Sequence, residues 1–137
     1  VKPDESILKD KNVLLAEDND INAAVAMEIL KAHGMNVERA KDGQEVGDMY
    51  LKSAEGRYDA ILMDVRMPKI DGMQATKIIR NSSHERAKSI PIIAMTADAF
   101  DEDMKRTMQA GMNAHLTKPI DIKKLIKTLV SLTHKEN

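Results

Sequence analysis

The 137-residue chain contains no cysteine and no tryptophan. Without cysteine, disulfides and thiol catalysis are excluded, which suits a reducing compartment. Tyr50, Tyr58 and Phe100 are the whole aromatic complement, too few for a base-stacking platform. An excess of one charge is also lacking. The 21 Lys and Arg nearly balance 22 Asp and Glu, for a net charge of −1. No global field therefore draws the chain to nucleic acid or to an anionic membrane. No apolar run approaches the roughly 20 residues of a membrane span, and no signal peptide opens the sequence. The expectation is a cytoplasmic chain that binds no nucleic acid and inserts in no membrane, or the cytosolic part of a membrane-anchored parent.

What is present is globular: 42% hydrophobic and 31% charged residues, at a length that supports one domain with a real core but not two. Val1 stands where a methionine would, so the terminus is expected to be processed or the segment cut from a longer protein. Residues 1–10 read as a linker or terminal edge, 11–133 as the domain, and 134–137 as a tail.

Five short apolar runs alternate with helical patterns, as in repeated βα units that build a parallel sheet. Strands are predicted over about 12–16, 37–40, 59–63, 91–95 and 114–117. Helices are predicted over about 21–33, 44–54, 73–80 and 101–110, with a last one after Asp121. Gly34 and Gly111 sit at stop positions, and Pro91 suits the first position of a strand. Asp20 and Asp121 are expected to cap their helices. Ile122, Leu125, Ile126, Leu129 and Val130 form a one-sided stripe that packs on a sheet face. The architecture expected is α/β, a three-layer α/β/α sandwich.

Chemistry collects at the strand ends. Ala60-Ile61-Leu62-Met63 runs into Asp64, and Val13-Leu14-Leu15-Ala16 runs into Glu17-Asp18. In an open parallel sheet, ligands bind outside the carboxyl ends of the strands. Asp64 alone fits a turn cap as well as a carboxylate nucleophile. Glu17 and Asp18 alone fit solvated loop acids. Together, two charges about 4 Å apart interact by roughly 4 kcal/mol at an effective dielectric near 20, so three carboxylates call for a cation. Mg²⁺ suits one or two carboxylates, waters and phosphate oxygens. Lys118, before Pro119, is placed to pair with a carboxylate or a phosphoryl oxygen, and Lys118-Pro119 is a candidate for a cis peptide. Thr96 ends the fourth strand as Asp64 ends the third, with a hydroxyl to cap a turn or to bind an oxyanion. The ten methionines read as core or interface filler. His33, His84 and His134 lack ligand partners at metal spacing and read as surface residues.

The stretches Val13 to Asn19, Asp64-Val65-Arg66-Met67-Pro68 with Asp71-Gly72, Met95-Thr96-Ala97 and Leu116-Thr117-Lys118-Pro119 together resemble the response-regulator receiver domains of two-component signalling. The resemblance spans about residues 12–132, and Ala110 to Asp121 is most similar to receivers of hybrid sensor histidine kinases. It implies a flavodoxin-like (βα)5 fold, a five-stranded parallel sheet in the order 2-1-3-4-5. Asp64 would be the phosphoacceptor for a phosphohistidine on a histidine kinase or histidine phosphotransfer domain. Asp18 and Asp64 would ligate Mg²⁺ (Mn²⁺ or Ca²⁺ as substitutes), with Glu17 partly through water and the Arg66 backbone carbonyl. Thr96 and Lys118 would bind phosphoryl oxygens, and inward rotation of His115 would couple to Thr96. Helix 4, strand 5 and helix 5 would be the face that is read, with a phosphorylation-dependent dimer as one way of reading it.

His115 stands where most receivers carry an aromatic ring, so the switch is expected to be weaker or pH-sensitive. Arg66 and Asp98 should border the site mouth, where a pair between them would hinder the hydrolytic water at a stability gain of ~1 kcal/mol or less. The lifetime of the acyl phosphate in Arg66→Ala tests that pair. A stand-alone regulator is the alternative to a hybrid-kinase segment. An aspartyl-phosphate hydrolase would need an acid where Arg66 stands. A flavodoxin-like cofactor binder would need a phosphate loop in place of Glu17-Asp18-Asn19-Asp20. No substrate turnover is expected beyond self-phosphorylation and dephosphorylation. A degenerate receiver is disfavoured by the complete set of acids, threonine and lysine.

Overall fold

A computed structural model describes residues 5–54, 56–97 and 101–133. Its strands are β1 (Asn12–Ala16), β2 (Asn36–Ala40), β3 (Ala60–Asp64), β4 (Ile92–Thr96) and β5 (Ala114–Thr117). They form one parallel sheet in the order β2-β1-β3-β4-β5. The helices are α1 (Asp20–Ala32), α2 (Gly43–Lys52), α3 (Gly72–Arg80), α4 (Asp101–Ala110) and α5 (Ile122–Thr133).

β3 and β4 are buried along their whole length, which is why both read as unbroken apolar runs rather than alternating ones. Successive side chains nonetheless point to opposite faces, and two cores result. Leu14, Ala16, Ile61, Met63, Ile92 and Ala94 pack with Val46, Tyr50, Ala75 and Ile79 of α2 and α3. Val13, Leu15, Leu62, Ile93, Met95 and Leu116 pack with Leu30 of α1 and with Leu125, Ile126 and Leu129 of α5. Leu125, Ile126, Leu129 and Val130 of the predicted stripe therefore face the sheet, whereas Ile122, at the start of the helix, is exposed. Each fully buried Leu or Ile contributes ~2 kcal/mol.

The helix starts are set by side-chain caps, each worth about 1 kcal/mol. Asp42 accepts from Glu45 N at 2.8 Å, and Asp121 accepts from Lys124 N at 3.2 Å. Asp71 accepts from Gln74 N at 2.8 Å while Gln74 Oε1 accepts from Asp71 N at 3.2 Å, a full capping box. The cap of α1 corrects the expectation for Asp20. Asn19, in an extended backbone conformation, accepts from Asn22 N at 2.9 Å, and Asp20 is the first residue inside the helix. Both residue types cap well, so the sequence alone does not choose between them. Gly34 and Gly111 take the left-handed conformation that ends α1 and α4.

A 3-10 turn over Glu5–Leu8 precedes β1 and carries Leu8 fully buried into the core beneath α5. His84 also departs from expectation. It is half-buried, its ring 4.5 Å from that of Tyr50, and its Nε2 meets the Ser53 carbonyl oxygen at 3.2 Å.

Candidate functional site

β1 delivers Glu17 to the sheet edge, and the ladder runs one residue past the strand, with Glu17 N donating to the Ala40 carbonyl at 3.1 Å. β3 ends on Asp64 and β4 on Thr96, and Val65 N donates to the Met95 carbonyl at 3.0 Å. Lys118 N donates to the Thr96 carbonyl at 2.7 Å, which draws the end of β5 to the same edge. The Lys118-Pro119 peptide is cis.

The side chains converge. Lys118 Nζ lies 3.0 Å from Glu17 Oε1 and 3.0 Å from Asp64 Oδ2. Glu17 and Asp64 are 2% and 4% exposed, whereas Asp18 faces solvent. One carboxylate oxygen from each of Glu17, Asp18 and Asp64 lies within 4.8 Å of the others. Asp18, Asp64, Arg66, Thr96 and Lys118 line a cavity of about 230 Å³ around them.

Three carboxylates with one ammonium leave an excess of negative charge. Burial, the hydrogen bond to Glu17 and the Glu17 charge push Asp64 up to about 7, against the pull of Lys118. Burial also raises Glu17, but hydrogen bonds from Asp64, Lys118 and the Asn19 amide outweigh it, and Glu17 ends below the usual range. Burial alone lowers Lys118, yet its bonds to Asp64 and Glu17 carry it upward. Glu17 and Lys118 thus pull the Asp64 carboxyl in opposite directions, and a cation beside it would favour its ionised form. The donor set is all oxygen and hard, and it fits a divalent ion such as Mg²⁺.

The backbone is shaped around Asp64. Gly72 N donates to the Val65 carbonyl at 2.8 Å, and a Cβ at Gly72 would stand 2.1 Å from the Asp64 carbonyl oxygen. Arg66 is exposed at the cavity rim, and Asp98 lies outside the described residues.

His115 is half-buried on β5 and does not line the cavity. Its Nε2 makes a close hydrogen bond with Thr107 Oγ1 of α4. Thr107 donates its own proton to the Met104 carbonyl at 2.9 Å, so the imidazole N–H is the donor to Thr107. Burial lowers the His115 pKa.

Three features escape the sequence reading: Arg39, whose guanidinium grips the acidic loop, Thr107, and the close approaches at Gly43 and Gly72. The strand that carries Arg39 is Asn36-Val37-Glu38-Arg39-Ala40, too polar for one charged residue in it to stand out. Nothing in the local pattern marks Thr107.

An open five-stranded parallel sheet in the order β2-β1-β3-β4-β5, with acids, a hydroxyl and a lysine at its carboxyl edge, defines a flavodoxin-like α/β domain whose acidic cluster could hold a metal ion. Residues 13–130 match the response regulator receiver domain, and the chain belongs to that family. It is 40% identical over 134 residues to the osmosensing histidine protein kinase SLN1 of Saccharomyces cerevisiae, covering 96% of this chain and 11% of that protein. It is 34% identical over 121 residues to the polar-differentiation response regulator DivK of Brucella anthropi, covering 88% of this chain and 94% of that one. The chain thus spans about a tenth of the kinase but nearly all of the regulator.

Among solved structures, the receiver domain of the sensor histidine kinase PA1611 from Pseudomonas aeruginosa superposes with a TM-score of 0.83 at 36% identity, covering 92% of this chain and 99% of that one. That structure holds a magnesium ion coordinated in its active site cleft. The Saccharomyces cerevisiae Ssk1 receiver domain, solved with the histidine phosphotransfer protein Ypd1, gives 0.81 at 29% identity, covering 92% and 90%. That receiver domain is thus seen paired with a histidine phosphotransfer protein. No helix among the described residues is long and apolar enough to cross a membrane.

Proposed function

We propose that this domain takes a phosphoryl group onto Asp64 from a phosphohistidine of a histidine kinase or histidine phosphotransfer domain. The observation that carries the reading is Lys118 Nζ held 3.0 Å from both Glu17 and Asp64, at the edge where Asp18 and Thr96 also stand. An Asp64 carboxylate oxygen forms the new bond to phosphorus. The P–N bond of the partner breaks, and its electron pair returns to the imidazole. The Lys118 ammonium and the Thr96 hydroxyl then donate to phosphoryl oxygens. Asp18, Asp64 and the Arg66 backbone carbonyl would hold Mg²⁺, with Glu17 acting partly through water. When bound, that ion supplies neutralising charge to the phosphoryl oxygens. In-line transfer asks mainly for positioning and charge, which these groups provide.

The flank of the site supports a protein donor. Ile21 and Val25 on α1 are 75% and 56% exposed, and Val25, Ala26 and Ile29 line a groove of about 470 Å³ that ends at Glu17 and Lys118. A helical partner covering this face would bring its histidine to the cavity mouth. On the other side, Met104 and Met108 of α4 are exposed, and His115 ties β5 to that helix. These features support α4, β5 and α5 as the face that changes on phosphorylation and is read by a partner or a second copy. The kinase relative supports a hybrid sensor kinase segment, and the DivK relative supports a stand-alone regulator.

Incubation with a phosphohistidine phosphotransfer protein and Mg²⁺ tests the reading. Intact-mass spectrometry should find one added phosphoryl group, lost on base treatment and absent in Asp64→Asn. Transfer that persists in Asp64→Asn, or none to the wild type from either that donor or acetyl phosphate, overturns it.

A further inference from the structure

We infer that Arg39, on the edge strand β2, is a positioning residue for the metal-binding acids, an inference that rests on the function proposed above. Glu17 closes β1, and the strand ladder gives out beside it. Its amide still finds the Ala40 carbonyl, but Lys41 turns its own amide to Glu45 Oε1 at 2.9 Å and Asp42 leaves to cap α2. The Glu17 carbonyl is left where no further rung of the sheet forms. Arg39 supplies the donors: Nε at 3.0 Å and Nη2 at 2.9 Å both point at Glu17 O.

The same guanidinium reaches Asp20 Oδ1 through Nη1 at 2.8 Å. Three donors of one planar group are therefore spent on one four-residue loop. The Arg39 side chain is only 16% exposed, so the fork is held by its surroundings as well as by its bonds.

Fixing the Glu17 carbonyl fixes the plane of the Glu17–Asp18 peptide. From that plane the Glu17 side chain turns inward to Lys118, and Asp18 projects from an exposed loop residue. The second effect is on charge. Asp20 is the fourth member of Glu17-Asp18-Asn19-Asp20, and its pairing with Arg39 keeps its carboxylate on the β2 side. The two bonds to the Glu17 carbonyl hold the loop in place against the mutual repulsion of Glu17, Asp18 and Asp64 before a cation arrives.

Positioning and simple electrostatics predict opposite signs. Arg39 is a cation near a cation site, so deleting its charge alone should tighten Mg²⁺ binding. Loss of the fork should weaken it, since groups that orient metal ligands typically contribute about 10–100-fold in affinity. A lysine keeps the charge but lacks the planar pair of donors.

The test is direct Mg²⁺ titration, by calorimetry and by amide shifts of residues 17–20, of wild type, Arg39→Met, Arg39→Lys and Asp20→Asn, each shown to be folded by circular dichroism. The expected result is about tenfold weaker binding in both Arg39 variants and near wild-type binding in Asp20→Asn, which retains the two bonds to the Glu17 carbonyl. Equal or tighter binding in Arg39→Met, or full recovery in Arg39→Lys, overturns the inference. Should Arg39→Met unfold, Arg39→Lys decides alone. A wild type that binds no Mg²⁺ overturns the site reading instead, so the two failures are distinct.

Discussion

Asp64 shows how a residue's neighbours set its chemistry. An isolated aspartate is ionised at neutral pH, but here burial and Glu17 push it up to about 7. Its protonated form is thus favoured on folding. The stabilisation from this group is fully present below the unfolded pKa near 4 and is lost as pH rises through about 7. Without divalent cation, Asp64→Asn is therefore expected to be more stable than wild type at pH 8. The gain should be about 2 kcal/mol, half the full linkage value because solvent at the cavity mouth screens the site. At pH 5, about one unit above the unfolded value, the gain should fall to roughly a third of that. Urea unfolding of both proteins at the two pH values measures it, and a gain independent of pH would mean that relief of repulsion is not the cause. Saturating Mg²⁺ should reverse the order, because only the wild type keeps the full ligand set. The meeting of Asp64, Thr96 and Lys118 at one sheet edge was legible in the sequence because the first two end strands and Lys118 directly follows one. The upward shift of Asp64 was not, since it depends on distances set by three separate strands.

At the scale of elements, the loops carry the constraints that periodicity cannot show. The first position of α2 takes a glycine because a Cβ at Gly43 would stand 1.7 Å from the Ile70 carbonyl oxygen. The N-terminus of α2 is pressed against the β3–α3 loop that runs from Asp64 to Gly72. Lys69 in that loop has φ of 68°, a left-handed conformation that costs a non-glycine residue roughly 1–2 kcal/mol. Gly43→Ala must push backbone apart and is expected to destabilise by about 1–3 kcal/mol. Lys69→Gly should leave stability unchanged or raise it by up to about 1 kcal/mol, as strain is relieved against greater freedom in the unfolded chain. Chemical denaturation of the pair checks both, and a Gly43→Ala protein as stable as wild type would show that the loop yields. Asp42-Gly43 was legible as a turn from composition, and the helix that follows it was found to within a residue or two. The reason for the glycine was not, because Ile70 lies 27 positions away in the chain. The same limit applies to α1. Asn19 and Asp20 are interchangeable caps locally, and it is Arg39, from the next strand, that engages Asp20.

Across the whole molecule, the two faces of the sheet are not equally apolar at the β5 end. The core under α1 and α5 extends to Leu116 of β5, whereas the opposite core, under α2 and α3, includes no β5 residue. There the space between β5 and α4 is bridged by His115 and buried Thr107 instead. A polar bridge excludes water less effectively than packed aliphatic groups and breaks at smaller cost, so α4 should open locally while β1, β3 and β4 open only with global unfolding. Hydrogen exchange is expected to give residues 105–110 a lower opening free energy than residues 61–63. Thr107→Val removes the acceptor for the imidazole N–H. It should lower protection in α4 by a further 1–2 kcal/mol or so, while the β3 amides follow only the change in global stability. Below pH 6.5 the wild type should move the same way. His115 has its folded pKa depressed by burial, so its contribution is present above the unfolded value and is lost as pH falls through the folded one. Equal protection of α4 and β3 would place the helix in the rigid core and remove His115 as the weak joint. If the expected gradient is found, the strands that hold Glu17 and Asp64 form the fixed half of the molecule. The side carrying Met104 and Met108 is then the half that a small change at the Thr96 end of β4 has enough free energy to move.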